Sequence, residues 1–298
     1  MADSVALAAV VTAYRPDAAF AIRLQPLLKL CQWIVIVDNT PGAHPFVALP
    51  AGFIVLQDGV NKGLGPALNK GLHEAALRGA RRVILFDQDS TPGLEFVAQM
   101  LVELTRAQAS HGPKCCVGPT HIDDGALTLG GPRASTDEVD CTGEVLQGVT
   151  CLPTSGMTLS LDALGPDDFF SDEFFLDLVD FEWCWRMRRR GWMFLRAGNV
   201  SMFHRLGEHE RQFLGLTFHV PAPYRHYFQV RDSLKLAFKD YVPTYSKLRL
   251  IGILPLKALI YPFLLDRGLE RFAWMMRGVR DSFKGVRGVG AAASRLSR

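Results

Sequence analysis

The segment from Arg81 to Ser90 reads Arg-Arg-Val-Ile-Leu-Phe-Asp-Gln-Asp-Ser. Its apolar run, Val83 to Phe86, is typical of a parallel strand covered on both faces, and ligands bind such sheets at the carboxyl ends of the strands. Asp87 and Asp89 follow this run directly, and because residues i and i+2 of an extended chain face the same way, both carboxylates can face one site. The pattern predicts a divalent cation that bridges a diphosphate or, alternatively, acids that cap the next helix.

The composition indicates a folded protein with a sizeable core. Of its 298 residues 48% are hydrophobic, which suits one large domain or a domain with an appendage. The net charge of +3 is too small to predict nucleic acid as a partner. The six cysteines show no metal-ligand spacing, so we expect buried, reduced thiols in a cytosolic protein. We find no secretory signal and no apolar segment long enough for a membrane span.

Strand-like and helix-like segments alternate in the first part of the chain. The strand-like segments are 5–12, 33–37, 53–57, 83–86 and 115–117, and the helix-like segments are 22–31, 65–78 and 94–107. This order predicts an α/β fold, a Rossmann-like mixed, mostly parallel sheet flanked by helices. Beyond residue 119 we expect short strands at 127–130, 145–150 and 154–161. From about residue 224 the sequence becomes helical, with apolar residues interleaved with Arg and Lys.

Three loops follow consecutive predicted strands and should meet at one edge of the sheet: 12–16, 38–41 and 58–69. Asp38 can accept a hydrogen bond from a nucleobase N–H or a ribose hydroxyl, or it can form an Asx turn. The segment Asn61-Lys62-Gly63-Leu64-Gly65 has glycines where a ligand can approach the backbone, and it precedes a helix N-terminus that suits an anion. The loops together predict a nucleotide site.

These motifs, in this order, resemble the inverting glycosyltransferases of family 2. The resemblance rests on Thr-x-Tyr after the first strand, Val-Asp-Asn, Asn-Lys-Gly-x-Gly-x-Ala-x-Asn-x-Gly and Phe-Asp-Gln-Asp-Ser, and it extends over residues 5–232. The motif Phe86-Asp87-Gln88-Asp89-Ser90 is similar to the bacterial rhamnosyltransferase branch. The resemblance implies a GT-A fold for residues 1–232, with a nucleotide-sugar half (1–118) and an acceptor half (119–232), followed by a basic amphipathic helical extension (233–298).

The resemblance also implies roles on the donor side. Asp87 and Asp89 would hold Mg²⁺ or Mn²⁺ on the donor diphosphate, and His204, in a His-x-x-Gly motif, would add a metal ligand. A hydrogen-bonded histidine at a strand end is the alternative for His204. The predicted nucleotide-sugar-binding residues are Thr12, Tyr14, Asp38, Asn61, Lys62, Gly63, Asp87 and Asp89.

A second acidic cluster lies in the acceptor half. From Asp180 the sequence predicts a helix that starts at an acidic cap and ends at Gly191, but capping does not explain all of Asp177, Asp180 and Glu182. Alignment with the family on Arg186 places Asp180 at the catalytic base, with Asp177 as the alternative. A carboxylate there would remove the proton of an acceptor hydroxyl. The predicted acceptor-side and supporting residues are Ser155, Gly156, Asp177, Glu182, Trp183 and Arg186.

Tryptophans 183, 185 and 192 could stack on a sugar, although tryptophans at this spacing more often lie in a core. The basic tail, 255–284, suits an interfacial helix pair on an anionic membrane or a hairpin that packs on the catalytic domain or a dimer partner. The sequence does not decide the oligomeric state.

The resemblance gives a concrete functional expectation. It implies transfer of L-rhamnose from dTDP-L-rhamnose to a cell-surface polysaccharide or its lipid-linked precursor, at the inner face of the bacterial cytoplasmic membrane. A UDP- or GDP-sugar donor is the first alternative. A sugar nucleotidyltransferase should carry a Gly-rich phosphate-binding signature after the first strand, which Thr12-Ala13-Tyr14-Arg15-Pro16 lacks. A non-catalytic glycan-binding or scaffold domain would not need the acids.

Overall fold

The computed structural model describes residues 6–42, 49–122, 146–203, 210–213, 216–219 and 221–292. In the first half, strands β1 (Leu7–Ala13), β2 (Trp33–Asp38), β3 (Phe53–Gln57) and β4 (Arg82–Asp87) pair in parallel in the order β3-β2-β1-β4. Their carboxyl ends therefore lie side by side, as predicted. The register places Ala13 beside Asp38 and Thr12 beside Asp87.

The second half of the sheet departs from this parallel pattern. Strands β5 (Cys115–Ile122), β6 (Leu146–Gly148), β7 (Thr158–Ser160) and β8 (Met193–Phe203) continue the order from β4 as β7-β5-β8-β6. Strand β7 is antiparallel to both β4 and β5, and β6 is antiparallel to β8. Strands β9 (Glu210–Phe213) and β10 (Leu216–His219) form a separate hairpin. The predicted strand at 127–130 lies outside the described residues.

Helices cover both faces of the sheet. They are α1 (Phe20–Leu24), α2 (Leu64–Leu77), α3 (Leu94–His111) and α4 (Val179–Arg189). Alternate residues of β1 enter different cores: Val10 joins the core that contains α2 and α4, whereas Ala9 joins the core that contains α1 and α3. This two-sided burial explains why the strands read as continuous apolar runs. The predicted α/β sheet flanked by helices is confirmed.

Three helices follow the sheet: α5 (Arg225–Ala237), α6 (Thr244–Leu264) and α7 (Gly268–Phe283). The predicted division at residue 232 falls inside α5, and the division at residue 118 falls inside β5. Helix α7 crosses α5 closely, because a Cβ at Gly278 would lie 2.6 Å from the carbonyl oxygen of Tyr227. Among the described residues, no helix combines the length and the apolar content that a membrane crossing requires.

Candidate active site

The loops after β1, β2 and β4 are tied to one another by hydrogen bonds. The backbone N–H of Tyr14 donates to Gln88 Oε1 at 2.7 Å, and the N–H of Arg15 donates to Thr40 Oγ1 at 2.6 Å. Gln88 lies between the two acids of its motif and serves the neighbouring loop. The loop after β3 joins this group, because Asn39 Nδ2 donates to the carbonyl of Gly63 at 2.9 Å. The predicted convergence of loops 12–16, 38–41 and 58–69 at one sheet edge is confirmed.

Asp38 is buried, and both of its carboxylate oxygens accept hydrogen bonds from the protein. Oδ1 accepts from the N–H of Thr40 at 2.9 Å and from its hydroxyl at 2.5 Å, and Oδ2 accepts from Gln57 Nε2 at 2.7 Å. The Asx turn proposed as the alternative for Asp38 is therefore present. A carboxylate has about four acceptor positions, so Asp38 can accept a further N–H from a nucleobase. Gln57 and Thr40 would hold the carboxylate in place.

A cleft opens beside Asp38, between the ends of β2 and β3 and the start of α2. Val37 and Leu56 are among its apolar lining residues. Its polar edge carries Asp58, which pairs with Lys62 at 2.8 Å and also with Lys70. Hydrogen bonds from these two lysines hold the pKa of Asp58 below its usual range. The cleft thus combines a few apolar side chains with a charged edge beside Asp38.

The segment that starts α2 is held by protein rather than open to a ligand. Gly63 has a φ of +96°, and a Cβ there would lie 2.6 Å from the carbonyl oxygen of Phe175. That carbonyl accepts the N–H of Leu64 at 2.7 Å, and Pro66 has no N–H, so the helix start offers an anion little beyond the N–H of Gly65. The sequence predicted that a ligand would lie close to the backbone at Gly63. In the structure the segment around Phe175 lies there instead. Asn61 accepts the N–H of Gly63 at 3.0 Å and so fixes this turn.

The two acids of the opening motif differ in exposure. Asp87 ends β4 and is half-buried, whereas Asp89 is exposed in the turn that follows. The next residue, Ser90, is buried, and its hydroxyl lies 2.9 Å from the hydroxyl of Ser155. This hydrogen bond joins the acidic loop to the turn predicted on the acceptor side.

The two carboxylates of Asp87 and Asp89 suit a Mg²⁺ ion that takes its other ligands from substrate and water. They do not suit a metal held by protein side chains alone. The described residues contain no group of at least three His, Cys, Asp or Glu side chains that could hold a metal ion. Mg²⁺ is commonly held by one or two carboxylates together with substrate phosphates and water, which matches two carboxylates at a strand end. The predicted ligand His204 lies outside the described residues.

Asp180 lies in the first turn of α4 and is half-buried. Leu178 precedes it in the left-handed region, with a φ of +68°, and this conformation turns the chain into the helix. Burial, together with the nearby charges of Asp87 and Asp177, raises the pKa of the Asp180 carboxyl to about 6. The fold therefore brings the acid of β4 and the acids around α4 into one electrostatic environment.

Asp177, the alternative base, has a different environment. Its Oδ1 accepts a hydrogen bond from Arg225 Nη2 at 2.7 Å, and its Oδ2 is buried without a hydrogen-bond partner among the described residues. Arg225 starts α5, so this ion pair joins the loop before α4 to the C-terminal helices. A carboxylate held by a guanidinium is a weaker proton acceptor than one held in an apolar setting.

Comparison with known proteins agrees with this geometry. The chain is 25% identical over 240 residues to dTDP-rhamnosyl transferase RfbF of Shigella flexneri, covering 78% of this chain and 77% of that protein. The crystal structure of GalNAc-T7 with UDP, GalNAc and Mn²⁺ superposes with a TM-score of 0.53 and 12% identity, over 93% of this chain. The chain is a GT-A glycosyltransferase.

The resemblance to family 2 glycosyltransferases is confirmed by these relatives, although no family model matches the chain. The glycosyltransferase spans 55% of the GalNAc-T7 chain. Apo-UDP-glucose pyrophosphorylase superposes with a TM-score of only 0.41 and 10% identity, a likeness too low to support an argument.

Within the glycosyltransferase, Glu182, Trp183 and Arg186 support helix α4 from inside. Glu182 is buried and accepts hydrogen bonds from Arg186 Nε at 2.6 Å and from the Tyr241 hydroxyl at 2.9 Å. Trp183 is 1% exposed and donates to the carbonyl of Asp168 at 2.7 Å. Tryptophans 185 and 192 are buried as well, so the core position favoured for these rings is confirmed, and the alternative that they stack on a sugar is wrong. Their apolar area stabilises the core.

The turn at Ser155 and Gly156 is fixed by the sheet. Gly156 has a φ of +81°, donates its N–H to the carbonyl of Leu85 at 2.7 Å, and would place a Cβ 2.7 Å from the ring of Pro119. His121, which the sequence did not suggest, lies at the end of β5 with Nε2 at 3.0 Å from the carbonyl of Ser155. Gly156 is therefore needed for packing, and Ser155 is the residue of this pair that contacts the acidic loop.

Proposed function

We propose that the glycosyltransferase moves L-rhamnose from dTDP-L-rhamnose to a hydroxyl of a cell-surface polysaccharide or its lipid-linked precursor, with inversion at the anomeric carbon. The similarity to dTDP-rhamnosyl transferase RfbF supports the donor. The observation that carries the proposed chemistry is Asp180, a half-buried carboxylate with a raised pKa that lies near Asp87 at the donor edge of the sheet.

Asp180 acts as the general base in this proposal. An acceptor hydroxyl is a poor nucleophile until a positioned carboxylate removes its proton, and such a base contributes typically about 10²–10⁴-fold. The hydroxyl oxygen attacks the anomeric carbon from the face opposite the nucleotide, the bond from that carbon to the diphosphate oxygen breaks, and the hydroxyl proton moves to Asp180. A pKa of about 6 leaves the carboxyl ionised at neutral pH yet basic enough to accept this proton.

Asp87 and Asp89 would hold Mg²⁺ or Mn²⁺ at the donor diphosphate in this proposal, and His204 would be a candidate third ligand. The cation, when bound, neutralises the charge that the departing diphosphate accumulates. Asp87 also raises the pKa of Asp180, so cation binding at Asp87 should lower that pKa. Asp87 thus links the charge at the donor diphosphate to the pKa of Asp180.

The donor nucleoside occupies the cleft beside Asp38 in this proposal. Asp38 meets the base or the ribose, and the loop of Thr12 and Tyr14 covers it. Lys62 is 56% exposed at the edge of the cleft, where it can leave Asp58 for a phosphate at small cost, since exposed ion pairs contribute little.

The test is a transfer assay that follows release of dTDP, with a matched pair of variants. We expect Asp180→Asn to bind dTDP-L-rhamnose normally and to lose turnover by about 10²–10⁴-fold. Asp177→Asn should lose less, because Asp177 already pairs with Arg225. Normal turnover by Asp180→Asn, together with strong loss in Asp177→Asn, would reverse the assignment of the base.

We also propose that the enzyme works on the inner face of the bacterial cytoplasmic membrane, docked on anionic lipid. Helix α6 exposes large apolar side chains, among them Leu259 at 69% and Phe263 at 83%. Arg277 on α7 and Lys284, which directly follows α7, are exposed cations. Apolar groups beside cations match the boundary of an anionic bilayer.

Flotation with vesicles of phosphatidylglycerol tests the membrane surface. We expect Phe263→Glu to lower the bound fraction, because it places a carboxylate among anionic headgroups. Leu77→Glu, which changes an 83% exposed leucine on α2, is the control and should float like wild type. Equal flotation of all three proteins would exclude α6 as the docking surface.

A further inference from the structure

Leu178 has a backbone conformation that leucine rarely adopts. Its φ is +68° and its ψ is 7°, in the left-handed region. Within the described ranges, the other non-glycine residues with a positive φ are Arg15 and Arg267. This conformation is strained for a bulky L-residue, because Cβ comes close to the following carbonyl oxygen, and such strain persists only where the surrounding structure fixes it.

The segment around Leu178 is held on its two sides by different cores. On the N-terminal side, the ring of Phe175 stacks on Phe228 of α5 at 4.5 Å, in the core formed with the C-terminal helices. On the C-terminal side, Val179 is buried in the core that contains α2 and α4, and the side chain of Leu178 packs against the same core. The chain therefore passes from one core to the other at the strained residue.

Leu178 also separates the two acids next to α4. Asp177 accepts a hydrogen bond from Arg225 at 2.7 Å, whereas Asp180 lies in the first turn of the helix. The carbonyl of Leu178 accepts the N–H of Glu182 at 2.9 Å, so Leu178 starts this helix. Because a helix fixes the directions of its side chains, the dihedral angles of Leu178 determine where the Asp180 carboxylate points.

The start of α4 has no side-chain cap from Leu178. Ser, Thr, Asp or Asn is preferred at this position, where the side-chain oxygen accepts an N–H of the first turn. Leucine offers no such oxygen, and the N–H of Phe181 donates to Oδ1 of Asp180 at 2.9 Å. The helix that carries Asp180 therefore also holds its carboxylate in place.

We propose that Leu178 is a positioning residue of this glycosyltransferase: its left-handed backbone, held between two cores, directs the Asp180 carboxylate toward Asp87 at the donor edge of the sheet. The inference rests on the proposed function for the role of Asp180. It adds that turnover depends on the backbone conformation at Leu178 more than on the bulk of its side chain.

Two substitutions of Leu178 separate the backbone from the side chain. Leu178→Val keeps an apolar side chain, but a β-branched residue disfavours a positive φ, whereas Leu178→Gly loses the side chain and adopts a positive φ readily. We expect Leu178→Val to lower kcat by about 10–100-fold, as misplacement of a reacting group does. Leu178→Gly should keep a higher kcat than Leu178→Val.

The assay measures kcat from release of dTDP, with dTDP-L-rhamnose as the donor and water as the acceptor. Isothermal titration with dTDP-L-rhamnose should give the same donor affinity for wild type and both variants, because the nucleotide side of the sheet is unchanged. A loss in kcat without a loss in donor affinity distinguishes a positioning role from general damage to the fold.

Gly191→Val is the matched control at the other end of α4. Gly191 is exposed, has a φ of +84° and would place a Cβ with nothing within 4 Å. The substitution puts the same β-branched residue at a positive φ but leaves the first turn of α4 unchanged. It should lower the stability measured by chemical denaturation and keep the kcat of wild type.

A normal kcat in Leu178→Val would overturn the proposal, and so would a lower kcat in Leu178→Gly than in Leu178→Val. An equally large loss of kcat in Gly191→Val would also overturn it, because destabilisation of α4 would then explain the effect.

Crystal structures of the two Leu178 variants give a readout that does not depend on activity. The Asp180 carboxylate should move away from Asp87 in Leu178→Val and keep its place in Leu178→Gly. An unchanged Asp180 in Leu178→Val would overturn the proposal. Normal turnover of Asp180→Asn would instead contradict the proposed function, so the two failures are distinguishable.

Discussion

At the scale of single residues, Asp180 combines two properties that catalysis requires. It is buried enough for its pKa to rise, yet its backbone position in the first turn of α4 gives the carboxylate a neighbouring N–H, that of Phe181 at 2.9 Å. Burial alone favours the neutral acid, whereas a hydrogen bond to the carboxylate favours the ion. The balance places the pKa of this carboxyl near the lower end of the physiological range.

This balance predicts the pH dependence of transfer. Because the proposed base must be ionised, kcat/KM should fall by about tenfold per pH unit below the pKa of Asp180, which is about 6 without a cation at Asp87 and lower with one. An unperturbed aspartate would place this limb near 4. The measurement is kcat/KM from dTDP release between pH 3.5 and 8, in buffers of constant ionic strength. An acid limb at about 4, the position of an unperturbed aspartate, would contradict a raised pKa.

Gln88 is a second residue whose role is testable. Its side chain holds the Tyr14 loop through one hydrogen bond, so Gln88→Ala should loosen the loop that covers the donor. We expect KM for the donor to rise by about 3–10-fold, the equivalent of one hydrogen bond, with a smaller change in kcat. Gln99→Ala, on the exposed surface of α3, is the control and should leave both parameters unchanged. A normal KM in Gln88→Ala would show that the loop is held without this bond.

Sequence patterns identify the charged residues of this site better than their neutral partners. Asp38, Asp87, Asp89 and Asp180 stand at strand or helix ends, where local sequence marks them. Gln57 and Gln88 carry no such mark, because their contacts join loops 19 and 74 residues apart and depend on which strands become neighbours.

At the scale of elements, the start of α2 and the loop before α4 depend on one another. Asn69 exchanges two hydrogen bonds of 2.8 Å with the backbone of Phe170, and Gly63 lets the Phe175 backbone come close. This contact brings the donor loop and the loop of Asp177 together. The glycines of this motif are therefore needed because two segments of the protein come close together. The sequence of either segment alone does not predict this contact.

Gly63→Ala tests this contact. The new Cβ meets the Phe175 carbonyl and the residue has a positive φ, so we expect the free energy of unfolding to fall by about 1–3 kcal/mol and turnover to fall with it. Gly79→Ala is a matched control, since it has a φ of +85° with nothing within 4 Å of the new Cβ. Chemical denaturation of both variants gives the comparison. Equal losses would mean that the positive φ, and not the contact, decides the stability.

The strands of the first half were predictable because each is an apolar run covered on both faces. Strand β7 was harder to predict. Residues 154–161 were expected to form a strand, but only Thr158–Ser160 does, and it pairs antiparallel with both β4 and β5. Such a short strand depends on partners more than 40 residues away and has little pattern of its own.

At the scale of the whole molecule, the C-terminal helices hold the loop that carries Asp177. Helix α5 supplies Arg225 to Asp177, and the fully buried pair of Arg231 and Asp232 fixes the same loop, since Asp232 Oδ2 accepts the N–H of Phe175 at 3.5 Å. Burial raises the pKa of Asp232 to about 6, so this internal pair is costly and needs α7 and residues 286–288 to cover it. Composition alone marks a change near residue 224, but it cannot reveal this packing.

Substitution of two helix glycines tests this dependence. Gly278→Ala places a Cβ 2.6 Å from the Tyr227 carbonyl and should separate α7 from α5, lowering both the thermal midpoint and turnover. Gly252→Ala, on α6 with nothing within 4 Å, should raise the free energy of unfolding by about 0.5–1 kcal/mol through helix propensity. Thermal unfolding and the transfer assay are run on both. If Gly278→Ala is destabilised but fully active, turnover does not depend on the packing of α7 against α5.

The proposed donor of this glycosyltransferase is dTDP-L-rhamnose, bound together with a divalent cation. Isothermal titration of the full chain with dTDP-L-rhamnose, UDP-sugars and GDP-sugars, each with and without Mg²⁺ or Mn²⁺, tests it most directly. We predict binding of dTDP-L-rhamnose that strengthens with the cation and is lost in the double variant Asp87→Asn, Asp89→Asn. Tight binding of a UDP- or GDP-sugar, with no binding of dTDP-L-rhamnose, would exclude dTDP-L-rhamnose as the donor.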